Sequence, residues 1–361
     1  MAYAVKKRIV TLFLVITVVF SVVAQQTRNS DLPLVLQNGD LSIHFLELGN
    51  KYTGDCVYIN YGNIDIIIDA GSRPSSAAVI KAYMGHYIRD NKLEYVIATH
   101  AHEDHIAGFS GSGNVSGILE SYEIGTIIDF PKTNSASAAY KKYIDTRDSV
   151  VSGGSAHYTA LECFNNEGGA QRIYDLGGGV KLEILYNYYY ENYTRNENNY
   201  SVCLRIIQNE NQYLFTGDLE GEGEDKLADY YESNFGGLGH CVLFKGGHHG
   251  SNTSGSEKIL AAITPEYICI CSCVGSSEYR ASPPNIFPSQ GYIDRIAPYT
   301  DKVYITTLVT DYSKNEYTSF NGTIVFLVSG STITILCTNN NLKLKDTDWF
   351  RNNRKMPEAW R

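Results

Sequence analysis

The 361-residue chain predicts an α/β domain, and three observations carry that reading. From Leu41 onward, short apolar segments of strand length alternate with turn residues. Two stretches, Ser75 to Arg89 and Ser256 to Ile263, place apolar residues at helical spacing instead. No linker divides the chain, so a single domain of about 300 residues accounts for it.

Residues 1–24 read as an address and not as structure. Lys6, Lys7 and Arg8 form a positive start, Ile9 to Val23 is almost wholly apolar, and Val22-Val23-Ala24 offers small residues for cleavage. Together they predict a signal peptide. The apolar run falls short of the roughly 20 residues that span a bilayer comfortably, so the expected product is exported, periplasmic or extracellular, with no membrane span after cleavage; an uncleaved anchor is the alternative. Residues 25–40 then lead into a domain at 41–337, and 338–361 form a tail. That tail carries Trp349 and Trp360 with Lys343, Lys345, Arg351, Arg354 and Lys355; docking on the domain, contact with a partner and mobility are all open for it.

Within the domain, Leu41 to Glu47 alternates as a strand with one buried face does. Cys56 to Asn60 and Ile64 to Asp69 flank Gly62-Asn63, which predicts a hairpin ending at Asp69-Ala70-Gly71. After the helix at Ser75 to Arg89, Leu93 to Thr99 forms a buried strand that delivers the chain into a His-rich run. A second hairpin, Val202 to Ile207 with Tyr213 to Thr216, turns at Glu210-Asn211 and delivers Gly217-Asp218. A strand at Cys241 to Phe244 delivers Gly246-Gly247-His248-His249-Gly250-Ser251. The helix from Ser256 is capped by Ser254 or Ser256 and stops before Pro265. Tyr267 to Val274 is a strand, Tyr292 to Ala297 a short helix and Lys302 to Thr307 a strand. Thr323 to Val328 and Thr332 to Cys337 close the domain as a hairpin about Ser329-Gly330-Ser331. Three strands thus end in polar loops, and their convergence on one rim is the structural expectation.

Composition narrows the function. A net charge of −9 argues against a protein that coats nucleic acid, because such binding relies on Lys and Arg neutralising phosphates. Export permits disulfides among the eight cysteines. Yet Cys269, Cys271 and Cys273 lie in an apolar strand where residues two apart share a face, so buried free thiols are expected for most. Neighbours on a flat strand rarely converge on one ion. The cluster Tyr186, Tyr188, Tyr189, Tyr190 and Tyr193 reads as loop packing, with stacking on bases or sugars as the alternative.

The chemistry concentrates in His100-Ala101-His102-Glu103-Asp104-His105, a density of imidazole and carboxylate that packing does not explain. His100 and His102, two apart in an extended segment, point to one side. Asp104 and His105 follow where the chain turns, and serve a second ion. Zinc, manganese and iron all accept such ligands. Asp218 alone reads as a turn residue, but a carboxylate between two ions holds them roughly 3.5 to 4 Å apart, as in dinuclear hydrolases. Glycines on both sides of His248-His249 indicate a close approach of the backbone to something.

These pieces, with His44-Phe45-Leu46, Gly54-Asp55, Ile67 to Gly71, Thr99 to Gly108, Asn199 to Val202, Leu214 to Leu219 and Asn321 to Ile324, resemble the metallo-β-lactamase superfamily. Within it they are most similar to the hydrolase domain attached to bacterial DNA-uptake (competence) channel proteins. The resemblance covers most of residues 41–337 and implies a four-layer αββα sandwich with metals at one edge. It implies two divalent ions, zinc foremost, with His100 and His102 on the first, Asp104 and His105 on the second, Asp218 bridging and His248 completing the second. His249 would line the pocket as a proton-transfer group, with Asp104 as the other candidate for that task, and Asp69 would orient the ligands from behind. Two departures stand out. Many members place a third His between the run and the Asp, where this chain has only His157, which does not follow a clear strand. Subgroup members also tend to carry a His just before a Pro, where this chain has Tyr279-Arg280-Ala281-Ser282-Pro283; Arg280 is the remaining candidate for an anionic contact.

The expected chemistry is hydrolysis, since metal coordination brings the pKa of water to about 7 and stabilises the developing oxyanion. A phosphodiester, in a small molecule or a nucleic acid, is the expected substrate. A β-lactam, amide or thioester is the alternative. A non-catalytic binding protein on the same fold is a third reading, supported only by the missing His.

Overall fold

The computed structural model describes residues 25–26, 34–37, 39–279 and 286–361. The expected signal peptide and Arg280 lie outside the described residues. No helix among the described residues is long and apolar enough to cross a membrane.

The strands run in chain order as β1 (Gln25–Gln26), β2 (Leu41–Phe45), β3 (Val57–Tyr61), β4 (Ile64–Ile68), β5 (Lys92–Ile97), β6 (Glu123–Asp129), β7 (Ala156–Thr159), β8 (Ile173–Gly177) and β9 (Val180–Leu185). They continue as β10 (Cys203–Gln208), β11 (Asn211–Phe215), β12 (Leu243–Lys245), β13 (Tyr267–Val274), β14 (Val303–Asp311), β15 (Glu316–Ser319), β16 (Ile324–Ser329) and β17 (Thr332–Cys337). Among the described residues they form two sheets, ordered β1-β17-β16-β2-β3-β4-β5-β6-β7 and β15-β14-β13-β12-β11-β10-β9-β8. The last hairpin therefore crosses back to the first sheet, pairing β16 with β2 at Ile324 to Phe45. The helices are α1 (Ser76–Met84), α2 (Glu103–Ile106), α3 (Ala138–Ser152), α4 (Ala160–Asn165), α5 (Gly221–Phe235), α6 (Glu257–Ile263), α7 (Gln290–Ile296) and α8 (Asp348–Asn353).

Side-chain alternation makes the layers. On β2, Phe45 stacks 6.4 Å from Phe215 of the second sheet, while His44 on the opposite face bonds Tyr83 of α1 through Nδ1 at 2.8 Å. On β13, Tyr267, Cys269 and Cys271 face the core between the sheets. Ile268 and Ile270 face a second core with Ile259 and Leu260 of α6 and Tyr292 and Ile293 of α7. The order is helices, sheet, sheet, helices, the sandwich that the resemblance implied. The alternation also explains the thiols: all eight cysteines are free and buried.

Most expected elements form within a residue or two of their place, and Ser256 caps α6 by accepting from Ile259 N at 3.2 Å. The first helix is shorter than its pattern, stopping at Gly85. The tail docks: Leu344, Phe350 and Trp360 join the second core, and Trp360 Nε1 donates to Thr300 O at 2.9 Å. Of the tyrosine cluster, Tyr189 and Tyr190 are buried, whereas Tyr193 is 71% exposed.

Candidate metal centre

The centre is built where β4, β5, β11 and β12 end. Asp69 follows β4 with a left-handed φ of 59°, and its carboxylate accepts from Thr99 N and Thr99 Oγ1, both at 2.8 Å. It also meets His105 Nδ1 at 2.7 Å. β5, parallel to β4, runs into Thr99 and His100. His102 then opens α2, a single turn that carries Asp104 and His105 inward. Ala70 N donates to His105 O at 2.7 Å and Gly108 N to Ala70 O at 3.0 Å. The two chains lie so close that a Cβ on Gly108 would sit 2.1 Å from Ala70 O.

From the second sheet, β11 ends at Gly217 and Asp218, whose N–H donates to Ser201 Oγ at 3.0 Å. β12 ends at Lys245, and beyond it His248 and His249 both adopt left-handed backbone, with φ of 42° and 52°. Two consecutive non-glycine residues in this region are costly, about 1–3 kcal/mol each, and persist only where the surroundings enforce them. The consequence is directional. His249 is fully buried, while His248 keeps 19% of its side chain exposed and rests against Glu220 at 3.4 Å, Thr253 Oγ1 at 3.1 Å and Asn198 Nδ2 at 3.4 Å.

The donors converge on one point. His105 Nε2 and His249 Nε2 each lie 3.1 Å from Asp218 Oδ2, and His249 Nε2 lies 3.4 Å from Asp104 Oδ2. Ligands of a tetrahedral ion at about 2.1 Å stand about 3.4 Å from one another, so these separations suit a shared cation. Asp55, His105, Asp218 and His249, all buried, each offer a donor atom within 4.8 Å of the others. His249 Nε2 and both carboxylate oxygens of Asp55 have no hydrogen-bond partner of regular geometry, although Asp55 makes ionic contacts with Lys245 and with His249 Nδ1. Buried polar atoms left without hydrogen bonds call for an ion or water, and the residues present fit a divalent metal. Beside this group, His100 Nε2 stands 3.0 Å from His102 Nδ1, and the His100 and His105 rings are 4.2 Å apart.

Electrostatics follow from the crowding. Burial opposes charging His105 and His249, but Asp218 with Asp69, and Asp218 with Asp55, outweigh it and raise both pKa values. Burial likewise works against ionised Asp104 and Asp218, and the neighbouring imidazoles reverse it, holding both well below the usual carboxylate range. For Asp69 burial prevails and its pKa is raised. Burial and the charges of His105 and His102 push His100 down. Such an array of carboxylates and imidazoles exchanges protons for metal on binding.

Of the residues singled out in the sequence, the structure brings together His100, His102, Asp104, His105, Asp218 and His249, with Asp69 behind His105. The two neighbouring imidazoles exchange places relative to expectation: His249 enters the donor cluster, and His248, expected to complete the second site, stays at the rim 3.9 Å from Asp218. The left-handed turn is the physical reason. His157 sits within β7, opposite Ile127, and its Nε2 binds Asp129 at 2.9 Å, so it is engaged elsewhere and does follow a strand register after all. Asp55, Lys245, Glu220 and Tyr279, which donates to Asp104 Oδ2 at 2.6 Å, were not assigned roles. Gly54-Asp55 and a lone Lys ending an apolar strand were the available signals.

The sequence model of the metallo-beta-lactamase superfamily matches residues 49–154. Competence protein ComA from Neisseria gonorrhoeae is 33% identical over 112 residues, 31% of this chain and 15% of that protein. Recombination protein 2 from Haemophilus influenzae is 29% identical over 115 residues, 32% of this chain and 13% of that protein. The matched segment thus spans only a small part of these relatives. Among solved structures, the metallo-beta-lactamase fold protein YhfI from Bacillus subtilis aligns with a TM-score of 0.41 and 10% identity, covering 80% of this chain and 99% of that one. Residues 49–154 thus match the metallo-beta-lactamase superfamily, and the two packed sheets flanked by helices agree with the fold of that family.

Proposed function

We propose that the chain is an exported hydrolase that uses two divalent ions to cleave a phosphodiester, in a small molecule or a nucleic acid. The observation that carries the reading is the convergence of Asp104, His105, Asp218 and His249 on one buried point. In this reading Asp104, His105 and His249 would hold one ion and His100 and His102 the other, with Asp218 available to both. Bound there, divalent ions lower the pKa of water toward neutrality and draw off the charge that develops on the attacked group. Zinc suits these nitrogen and oxygen donors, and manganese and iron accept the same set.

The chain's own residues supply the rest. Asp69, fixed by Thr99, accepts from His105 Nδ1 and so turns Nε2 toward the centre. Tyr279 covers Asp104 from the open side. His248, held by Glu220, Asn198 and Thr253, faces that same opening and is placed to pass a proton to or from a departing group. The relatives, a competence protein and a recombination protein by name, support a nucleic-acid phosphodiester and a setting in the cell envelope. The positive, then apolar, start of the chain supports export.

The test is metal content of the chain purified without chelator, with hydrolysis of bis-p-nitrophenyl phosphate and of nitrocefin followed in the same samples and in Asp104→Ala. Two ions, phosphodiester cleavage and its loss in the variant support the reading. Cleavage of nitrocefin alone moves the substrate to a β-lactam. Absence of metal and of both activities after adding zinc or manganese overturns catalysis.

A further inference from the structure

Asp55 and Lys245 belong to neither expected ligand set, yet they stand in the middle of the centre. Their side chains are 2% and 4% exposed and in direct ionic contact. Lys245 Nζ also donates to Gly217 O at 2.9 Å and to Asp218 Oδ1 at 3.3 Å. By engaging Oδ1 it leaves Oδ2 as the Asp218 oxygen that meets His105 and His249. Asp55 Oδ1 lies 3.2 Å from His249 Nδ1, which also meets Cys271 O at 3.0 Å, and Oδ2 lies 3.8 Å from His105 Nδ1. Its main chain joins in: Asp55 N donates to Asp104 O at 3.0 Å, and Gly71 N donates to Asp55 O at 2.7 Å. Asp55 thus touches each loop of the first sheet that carries a donor, and Lys245 ties it to the two loops of the second.

We propose that Asp55 and Lys245 form a paired positioning device: Lys245 sets which oxygen of Asp218 faces the metals, and Asp55, together with Cys271 O, backs the His249 ring so that its Nε2 points forward. The proposal rests on the reading of this cluster as a metal site. Neither residue is among the ligands proposed above, although Asp55 lies within reach of the same ion. A merely structural ion pair between the sheets would hold the fold and leave metal affinity to the ligands themselves.

Charge and position predict opposite outcomes, which makes the pair testable. An ammonium beside a cation site repels the cation, so by charge alone Lys245→Met tightens metal binding. If Lys245 positions Asp218, the same change loosens it, by the 10- to 100-fold typical of residues that orient ligands. The experiment measures Zn²⁺ affinity by competition with a chromophoric chelator, and the visible absorption of the Co²⁺-loaded full chain, for the parent, Lys245→Met, Asp55→Asn and the double variant. Expected are about 10-fold or greater weakening in each single variant, altered cobalt bands, and a double variant no weaker than the weaker single, because a unit is lost only once. Unchanged or tighter binding in the single variants, unchanged cobalt bands, or losses that simply add would overturn the proposal. Should the single variants fail to fold with a charge buried alone, the double variant leaves none unpaired, and parent-like affinity in it is equally fatal. A parent chain that takes up neither metal brings down the metal reading itself, a result distinct from all of these.

Discussion

Glu224 offers a quantitative test of how the His248-His249 loop is held. It lies on α5, fully buried, and accepts from Gly255 N at 2.9 Å and Ser256 N at 2.7 Å, at the far end of the segment that begins at Gly247. Burial raises its pKa from 4.5 to about 7, outweighing those two hydrogen bonds. The folded value lies above the unfolded one, so the contribution to stability is fully present below pH 4.5 and is lost as pH rises through about 7. Linkage across that interval gives a loss of about 2.5 kcal/mol between about pH 5 and about pH 8. In Glu224→Gln this component is absent, so the variant should gain that amount relative to the parent over the same range, whatever its stability at a single pH. Urea unfolding in the presence of chelator, followed by the fluorescence of Trp349 and Trp360, measures it. Pairwise comparison cancels the other titrating groups. Curves that stay parallel from acid to alkaline pH, or a difference that moves against the variant, would refute the reasoning.

Three further outcomes are expected. Phe350→Ala, which empties a fully buried position in the second core, should cost about 3–5 kcal/mol; a change within a few tenths would mean that the tail does not dock in solution. Gly108→Ala places a methyl 2.1 Å from Ala70 O and should cost about 1–3 kcal/mol or more, with weaker zinc uptake because Ala70 also holds His105, both read in one titration of melting temperature against added zinc. The eight cysteines, all buried and free, should be silent toward Ellman's reagent in the native chain and all react in guanidinium; rapid labelling of the native chain would show a core more open than described.

Much of this molecule was legible in its sequence, for identifiable reasons. β13 was read from Tyr267 to Val274 because apolar residues and cysteines filled both faces of a strand covered on both sides. The hairpins announced themselves through Gly62-Asn63 and Ser329-Gly330-Ser331. Helix α3 did not, because Tyr143 is its one fully buried residue and its apolar stripe of Tyr140, Tyr143, Ile144, Val150 and Val151 is broken at Arg147 and only partly covered. In α5 a stripe exists, but it includes Glu224, a residue whose burial is made tolerable by backbone donors from a loop more than thirty positions away. The site shows the same division. Donors clustered in sequence, from His100 to His105, were conspicuous, whereas Asp55 and Lys245 acquire meaning only when two sheets bring them together. The choice between His248 and His249 depended on two backbone dihedrals that no pattern of residue types encodes.

The donors come from both sheets: Asp104 and His105 from the first, Asp218 and His249 from the second. An ion held by all four is therefore a cross-link between two halves of the chain, made at the loops that end their strands. Any agent that binds only the assembled form adds RT ln(1 + [L]/Kd) to stability, about 4 kcal/mol at a thousandfold excess over Kd. Neither half can claim that energy by itself, since each sheet supplies only two of the four donors. Zinc uptake would then serve as an indicator of sheet assembly, and metal capture would be the step that locks the two sheets together.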